Sequence, residues 1–336
     1  SGFADIARNP TNSAARVQVL SQANAVTDWL NNAAIELGEI TTNHTASLND
    51  LVTTVNGYAK ELSELNVAIS QSVEKTQAAN ALVDRRGHVA DQLAQLVGGS
   101  YMTNDVNQLS VTLGGGTLVG PATYATLQVA SAGGTTSLQW VSDSSTATVT
   151  SGAAKSYLTG INTTVDSWTT TLDGVASALT TQVNAIQTTG FDRDGNAGNS
   201  LFSGITASTI AVALTDGDDI AASAIAPAGG IASLDGSKAD AMAAVATASN
   251  GPDELYRDLV VSLGFAVQSA DQAAATQESL ASSITSQIDA ESGVSIDEEM
   301  ANLLAFQRAY EAAARVLTAI DAVLETLINR TGVVGR

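Results

Sequence analysis

Three stretches of this chain place apolar residues at alternating steps of three and four, and no other feature constrains the fold as much. The first is Leu48, Leu51, Val55, Tyr58, Leu62, Leu65 and Ile69; extended backwards it reaches His44, Thr41 and Leu37. The second is Leu158, Ile161, Val165, Trp168, Leu172, Val175 and Leu179. The third is Leu303, Phe306, Tyr310, Ala313, Leu317, Ile320, Leu324 and Leu327, close to the end of the sequence. Residues spaced this way share one helix face, and such a face must be buried against another helix.

Start and stop signals sharpen the helices. Pro10, Thr11, Asn12 and Ser13 offer a cap for a proline-free stretch from Ala14 to Leu37. A further helix over about 77–97 carries Leu82, Val89, Leu93 and Leu96 and stops at Gly98-Gly99. Gly87 inside it costs roughly 1 kcal/mol relative to alanine. After Pro252 a helix runs to about Ala290, with an alanine-rich seam of Leu259, Leu263, Ala266, Ala270, Ala273, Leu280 and Ile284. Ser295 and Glu298 read as a capping box for the last helix, Asp297, Glu298 and Glu299 complement its dipole, and Gly332 is its stop.

Between Ser100 and about Ser151 the period falls to two. Leu109, Val111 and Leu113 alternate with polar residues up to Gly114-Gly115-Gly116, and Leu127 with Val129, then Leu138 with Trp140, repeat the pattern. Gly190 to about Ser237 reads as loop and short strand marked by Phe202, Ile210, Val212 and Leu214. The fold class is therefore mainly α with β insertions (α+β): an elongated coiled-coil-like helical bundle plus a small antiparallel β domain. Its expected divisions are a bundle half at 1–97, an inserted β domain at 98–154, a second bundle half at 155–290 with a β/loop segment at about 190–240, and an assembly helix at 291–336. The expected bundle core is Leu48, Leu51, Val55, Tyr58, Leu62, Leu65, Ile69, Val165, Trp168, Leu172 and Val175.

Composition excludes several functions. Fourteen Lys and Arg against 34 Asp and Glu give a net charge of −20, which leaves no basic cluster for nucleic acid and repels an anionic membrane. The chain has no cysteine, hence no disulfide, thiol nucleophile or Cys-ligated metal. No run of 18 apolar residues predicts a membrane span. A start at Ser1 rather than Met suggests a fragment or processed form.

Candidate chemical sites are thin. Asp192-Arg193-Asp194-Gly195-Asn196 hints at a calcium loop, but Ala197 and Ser203 stand where an EF-hand needs Gly and Glu, so a turn is expected. His44 and His88 fall on helices without a nucleophile beside them. Gly114-Gly115-Gly116 lacks the Lys-Ser/Thr of a phosphate loop and reads as a hairpin turn. Asp216, Asp218 and Asp219 read as a solvated turn, and Asp84 and Arg86, two apart, do not face each other. No cofactor or metal site and no enzymatic activity are expected.

The residues also carry a resemblance. The stretch from Ser292 to Leu327, with Gly293-Val294, Asp297-Glu298-Glu299-Met300, Leu303, Gln307, Tyr310 and Ala314-Arg315, resembles the C-terminal motif of bacterial flagellar rod, hook and hook-associated axial proteins. Ala14-Ala15-Arg16 with Val19-Leu20-Ser21, Glu64-Leu65-Asn66, Leu82-Val83-Asp84 with Arg86, Val111-x-Leu113 with Leu118-Val119, and Gly190 to Phe202 are similar to the hook-associated protein 1 (FlgK) family. Gly87 and a short β region depart from it. The resemblance implies a secreted, extracellular subunit exported by the flagellar type III apparatus. It implies self-association in the axial structure and contact with the hook protein, a second hook-associated protein and an export chaperone. It also implies an N-terminal segment that pairs with the C-terminal helix. Leu303, Phe306, Tyr310, Leu317, Ile320, Leu324 and Leu327 are then the residues expected to pack in the axis. Two other readings stay open: a surface adhesin or carbohydrate-binding protein on the same scaffold, which needs exposed aromatics on the β part, and a hydrolase in the 190–240 loops, which needs convergent carboxylates.

Overall fold

The computed structural model describes residues 2–72, 77–105, 107–227, 231–292 and 296–330. By internal contacts the chain divides into two units, Ser1–Leu263 and Gly264–Arg336. The chain is mainly helical with small antiparallel sheets, as the spacing predicts.

In the first unit, α1 (Gly2–Arg8) precedes α2 (Ser13–Gln71), a single 59-residue helix of roughly 90 Å. The sequence divides this region into a capped stretch and a heptad stretch; the two are continuous. Asn12 caps α2, its side-chain oxygen accepting from the Ala14 and Ala15 amides at 3.1 and 3.3 Å. Next comes α3 (Gln77–Val97), which stops where Gly98 takes a φ of +66°. A Cβ there would sit 2.1 Å from Ser151 Oγ, so only glycine fits.

Five strands follow: β1 (Ser100–Thr103), β2 (Leu109–Leu113), β3 (Gly116–Val119), β4 (Leu127–Ala132) and β5 (Thr135–Trp140). The first three form one antiparallel sheet, and β4 pairs β5, with Leu127 opposite Trp140 and Val129 opposite Leu138. Gly114-Gly115 and Gly133-Gly134 all have positive φ, the requirement of a tight two-residue hairpin turn.

The chain returns through α4 (Gly152–Thr159) to α5 (Asp166–Gln187), but the two are joined by a π-helical segment, Gly160–Val165. The periodic seam predicts an uninterrupted helix from Lys155. The π segment carries Asn162, whose side chain accepts from the Thr136 amide and donates to the Thr136 carbonyl, clamping β5. A short hairpin of β6 (Phe202–Ser203) and β7 (Ala211–Val212) and a helix α6 (Ser237–Ala244) complete this part before α7 (Pro252–Ser292) begins. Neither α1 nor α6 is marked by sequence periodicity.

The first unit has two cores strung along α2. One joins Leu48, Leu51, Val55 and Leu62 to Val89 and Leu93 of α3, Leu109, Val111, Leu118, Leu138 and Trp140 of the strands, and Ile161. The other joins Ile6, Val19 and Leu30 to Leu172 and Val175 of α5, Leu201, Phe202, Ile210, Ile220 and Met242. Val165 and Ile69 are also buried, whereas Tyr58, Leu65 and Trp168 are half-buried.

Each core holds a buried arginine. Arg16 donates from Nε to the Pro10 carbonyl at 2.9 Å and from Nη1 to the carbonyls of Ile220 at 2.6 Å, Gly217 and Asp218. Arg86 donates to Asn66 Oδ1, Asn107 Oδ1 and the Asn107 carbonyl, while Asn66 itself bonds the Leu109 amide and carbonyl. Burial lowers the pKa of both guanidiniums, yet at neutral pH both keep their charge, compensated by carbonyl and amide oxygens. The 216–219 stretch is thus more than a solvated turn. Asp216 caps a 3-10 turn, Gly217–Asp219, whose carbonyls receive Arg16, and Asp218 pairs with Arg193 at 2.8 Å. The 192–196 stretch is a turn: the two Asp192 oxygens accept from the Asn196 amide and side chain, and Gly195 has φ +94°.

In the second unit, α8 (Ile296–Arg330) follows α7. Ser295 and Gly332, the expected cap and stop of the last helix, lie outside the described residues, as do Gly293 and Val294.

Candidate assembly surface

The heptad seam of α8 is uncovered. Leu303, Phe306, Tyr310, Leu317, Ile320 and Leu324 are between 49% and 80% exposed, the two aromatics most of all. In a soluble domain a stripe of this kind is normally core-facing. The Leu327 side chain lies outside the described residues. Asp297, Glu298 and Glu299 stand in the first turn, where the helix dipole favours negative charge. Arg315 and Glu311, one turn apart at 3.7 Å, are largely exposed and contribute a few tenths of a kcal/mol at most. The second-unit part of α7 repeats the theme, with Phe265, Leu280 and Ile284 exposed. What such a surface offers is apolar area and register: side chains at heptad spacing that fit the holes of a neighbouring helix.

The structure offers little chemistry elsewhere. Among the described residues no three His, Cys, Asp or Glu side chains gather as metal ligands, and no helix is long and apolar enough to cross a membrane. His44 lies against the edge of Tyr157 with ring centres 5.7 Å apart, and His88 is exposed on α3. Trp140 is buried, with Gly116 directly against its indole ring, so it cannot stack on a sugar. The exposed Tyr101 donates its hydroxyl to Asp91 at 2.7 Å, and that bond raises its pKa. In the 190–240 loops, Asp219 has its pKa raised by burial and by Asp216, Asp192, Asp194 and Asp218. Asp235 shifts the other way. Burial pulls it up, but hydrogen bonds from the Ala224 amide and from Ser237 and Ser223 outweigh that and hold it low. Asp192, Asp216 and Asp235 spend their oxygens on backbone amides and side chains of their own turns.

A groove of about 340 Å³ runs beside Val26, Trp29, Leu179 and Tyr256 in the first unit. The Trp29 and Tyr256 rings meet edge to face at 5.2 Å. Sequence periodicity identifies neither this pair nor the two buried arginines, because charge and aromaticity alone carry no information about long-range partners.

Known proteins give this geometry its context. Residues 1–202 match the family described as flagellar hook-associated protein FlgK helical domain, and residues 286–330 match flagellar basal body rod FlgEFG protein C-terminal. Flagellar hook-associated protein 1 of Bacillus subtilis is 26% identical over 381 residues, covering 99% of this chain and 75% of that protein. Its namesake in Salmonella typhimurium is 29% identical over 169 residues, covering 47% of this chain and 31% of the relative. The flagellar hook junction protein FlgK from Burkholderia pseudomallei has a similar fold, with a TM-score of 0.75 at 16% identity, covering 88% of this chain and 92% of that one. These similarities support a structural flagellar role and lend nothing to the adhesin reading. With a family match over more than half its length, the chain belongs to the flagellar hook-associated protein FlgK family.

Proposed function

We propose that this protein is a subunit of the hook–filament junction and that the α8 seam is its means of assembly. The observation that carries this reading is the stripe from Leu303 to Leu324, apolar, in heptad register and exposed along its described length. Burying each such leucine at a helix contact is worth about 2 kcal/mol, so a seam of this length favours a stable axial contact. In this reading residues 291–336 form the axial helix, 1–97 and 155–290 hold the bundle, and the 98–154 insert faces outward. The neighbours are further copies of the chain, the hook protein and a second hook-associated protein. Export proceeds by the flagellar type III route with a chaperone, and the product is extracellular. The role is mechanical, and no catalytic step is assigned.

Replacing both Leu317 and Leu324 with Asp tests this reading in cells producing the full-length protein. Electron microscopy of isolated hooks is expected to show no junction, while circular dichroism of the purified variant keeps the native helical signal. Normal junctions from the variant would overturn the reading.

A further inference from the structure

Between the two cores of the first unit the molecule narrows to two helical segments. Along α2, fully buried residues run up to Leu30 and resume at Leu48; Ala33, Ala34 and Leu37 still pack on the second core, so the stretch between the cores is 38–47. The facing segment, residues 160–171, starts with the π-helical stretch and contributes Ile161 to one core and Val165 between the two. We propose that this two-helix neck is a built-in flexure at which the two cores change their mutual angle.

Five observations converge on it. Residues 38–45 read Gly-Glu-Ile-Thr-Thr-Asn-His-Thr, and all but Glu39 are weak helix formers; 160–171 are weak formers throughout. A similar weak run at Val52–Tyr58 is held by core packing through Val52 and Val55, support that 38–45 lack. Gly38 has no steric reason to be glycine, since a Cβ there would meet nothing within 4 Å. Thr41, Thr42 and Thr45 turn their hydroxyls back onto the carbonyls of Leu37, Gly38 and Thr41 at 3.2, 2.9 and 2.8 Å, as Thr169 does onto Val165, and this bonding bends helices. Opposite lies the π segment, a local rewinding of the kind at which helices kink. His44 rests on Gly160, whose absent side chain lets the two segments approach closely there (an added Cβ would lie 3.1 Å from Nδ1). The inference stands on the first unit alone, independent of what α8 binds.

The test uses the absence of native cysteine. Spin labels at Ser142→Cys beside one core and Ser208→Cys beside the other report the distance across the neck, and Thr53→Cys with Ser142→Cys is a control within one core. All three positions are exposed. The cross-neck pair is expected to give a distribution at least twice as wide as the control. Adding Gly38→Ala, Thr42→Ala, Thr163→Ala and Thr170→Ala, all exposed sites that strengthen helix without touching a core, should narrow it towards the control. A native width equal to the control overturns the flexure. So does a wide distribution that the four substitutions leave unchanged. In hydrogen exchange, amides of 39–46 should exchange at least tenfold faster than those of 56–63, and equal protection would also overturn it.

Discussion

Two seams of this molecule have the same arithmetic and opposite fates. Leu48 to Ile69 in α2 and Leu303 to Leu324 in α8 both step by threes and fours; Leu48, Val55 and Leu62 are fully buried, whereas every described leucine of the second seam is about half exposed or more. Spacing therefore states that a helix face needs cover and says nothing about where the cover comes from. For α2 it comes from α3 and the strands, supplied by the same chain within a hundred residues. For α8 nothing described in the chain supplies it, which is what a subunit built to join others requires.

The contrast can be broken most directly by truncation. Leu62→Ala should lower unfolding stability by about 2–5 kcal/mol in urea titrations at low protein concentration, whereas Leu317→Ala should stay within about 0.5 kcal/mol. A large loss from Leu317→Ala in the monomer would mean that the α8 seam is already covered. Next in size is Arg86→Ala. It removes the donor to the Asn107 carbonyl and side-chain oxygen and one of the two donors to the buried Asn66 Oδ1, which keeps the Leu109 amide, and a loss of about 1–3 kcal/mol is expected by the same titration. Removing the α2 cap by Asn12→Ala should cost about 1 kcal/mol in thermal unfolding. Gly87→Ala should raise stability by up to about 1 kcal/mol, because its Cβ would meet nothing within 4 Å. Arg315→Ala, the exposed counterpart of Arg86 on α8, should cost under about 0.5 kcal/mol.

Acid sharpens the comparison from another side. The Asp235 carboxyl is held below its unfolded value, so its contribution is fully present above about pH 4 and is lost as pH falls through the folded value. Exchange of the Ala224 and Ser237 amides should rise, relative to their intrinsic rates, below that pH in native protein, and Asp235→Asn should flatten the change.

Much of this was legible in the residues. The Asn12 cap, the glycine hairpin turns, the stop at Gly98 and the buried faces of α2 and α3 each rest on local chemistry, and local chemistry is what a sequence displays. Helices α1 and α6, at seven and eight residues, are too short for a period to emerge and are held by packing on each other. Nothing local marks Arg16 for burial, because the carbonyls of 217, 218 and 220 that close around it lie two hundred positions away. The π segment keeps the heptad spacing of its flanks, so composition conceals it. As for the α8 seam, its pattern is plain in the residues, while its exposure is not, because spacing alone does not say whether a face is covered from within the same chain.

The arrangement of cores along α2 also bears on how the chain reaches its native state. The core around Leu62 draws on one uninterrupted stretch from Leu48 to Ile161, whereas the other must bring Leu30 to Leu172 across that entire stretch. Once the inner stretch has collapsed, the connection left to close shrinks to the two short flanks. By the logarithmic law of loop closure this lowers the entropic barrier by about 1 kcal/mol, several-fold in rate. On this entropic ground the inner core is expected to form first, so in refolding kinetics a lesion such as Leu62→Ala should slow the formation of a region it never touches.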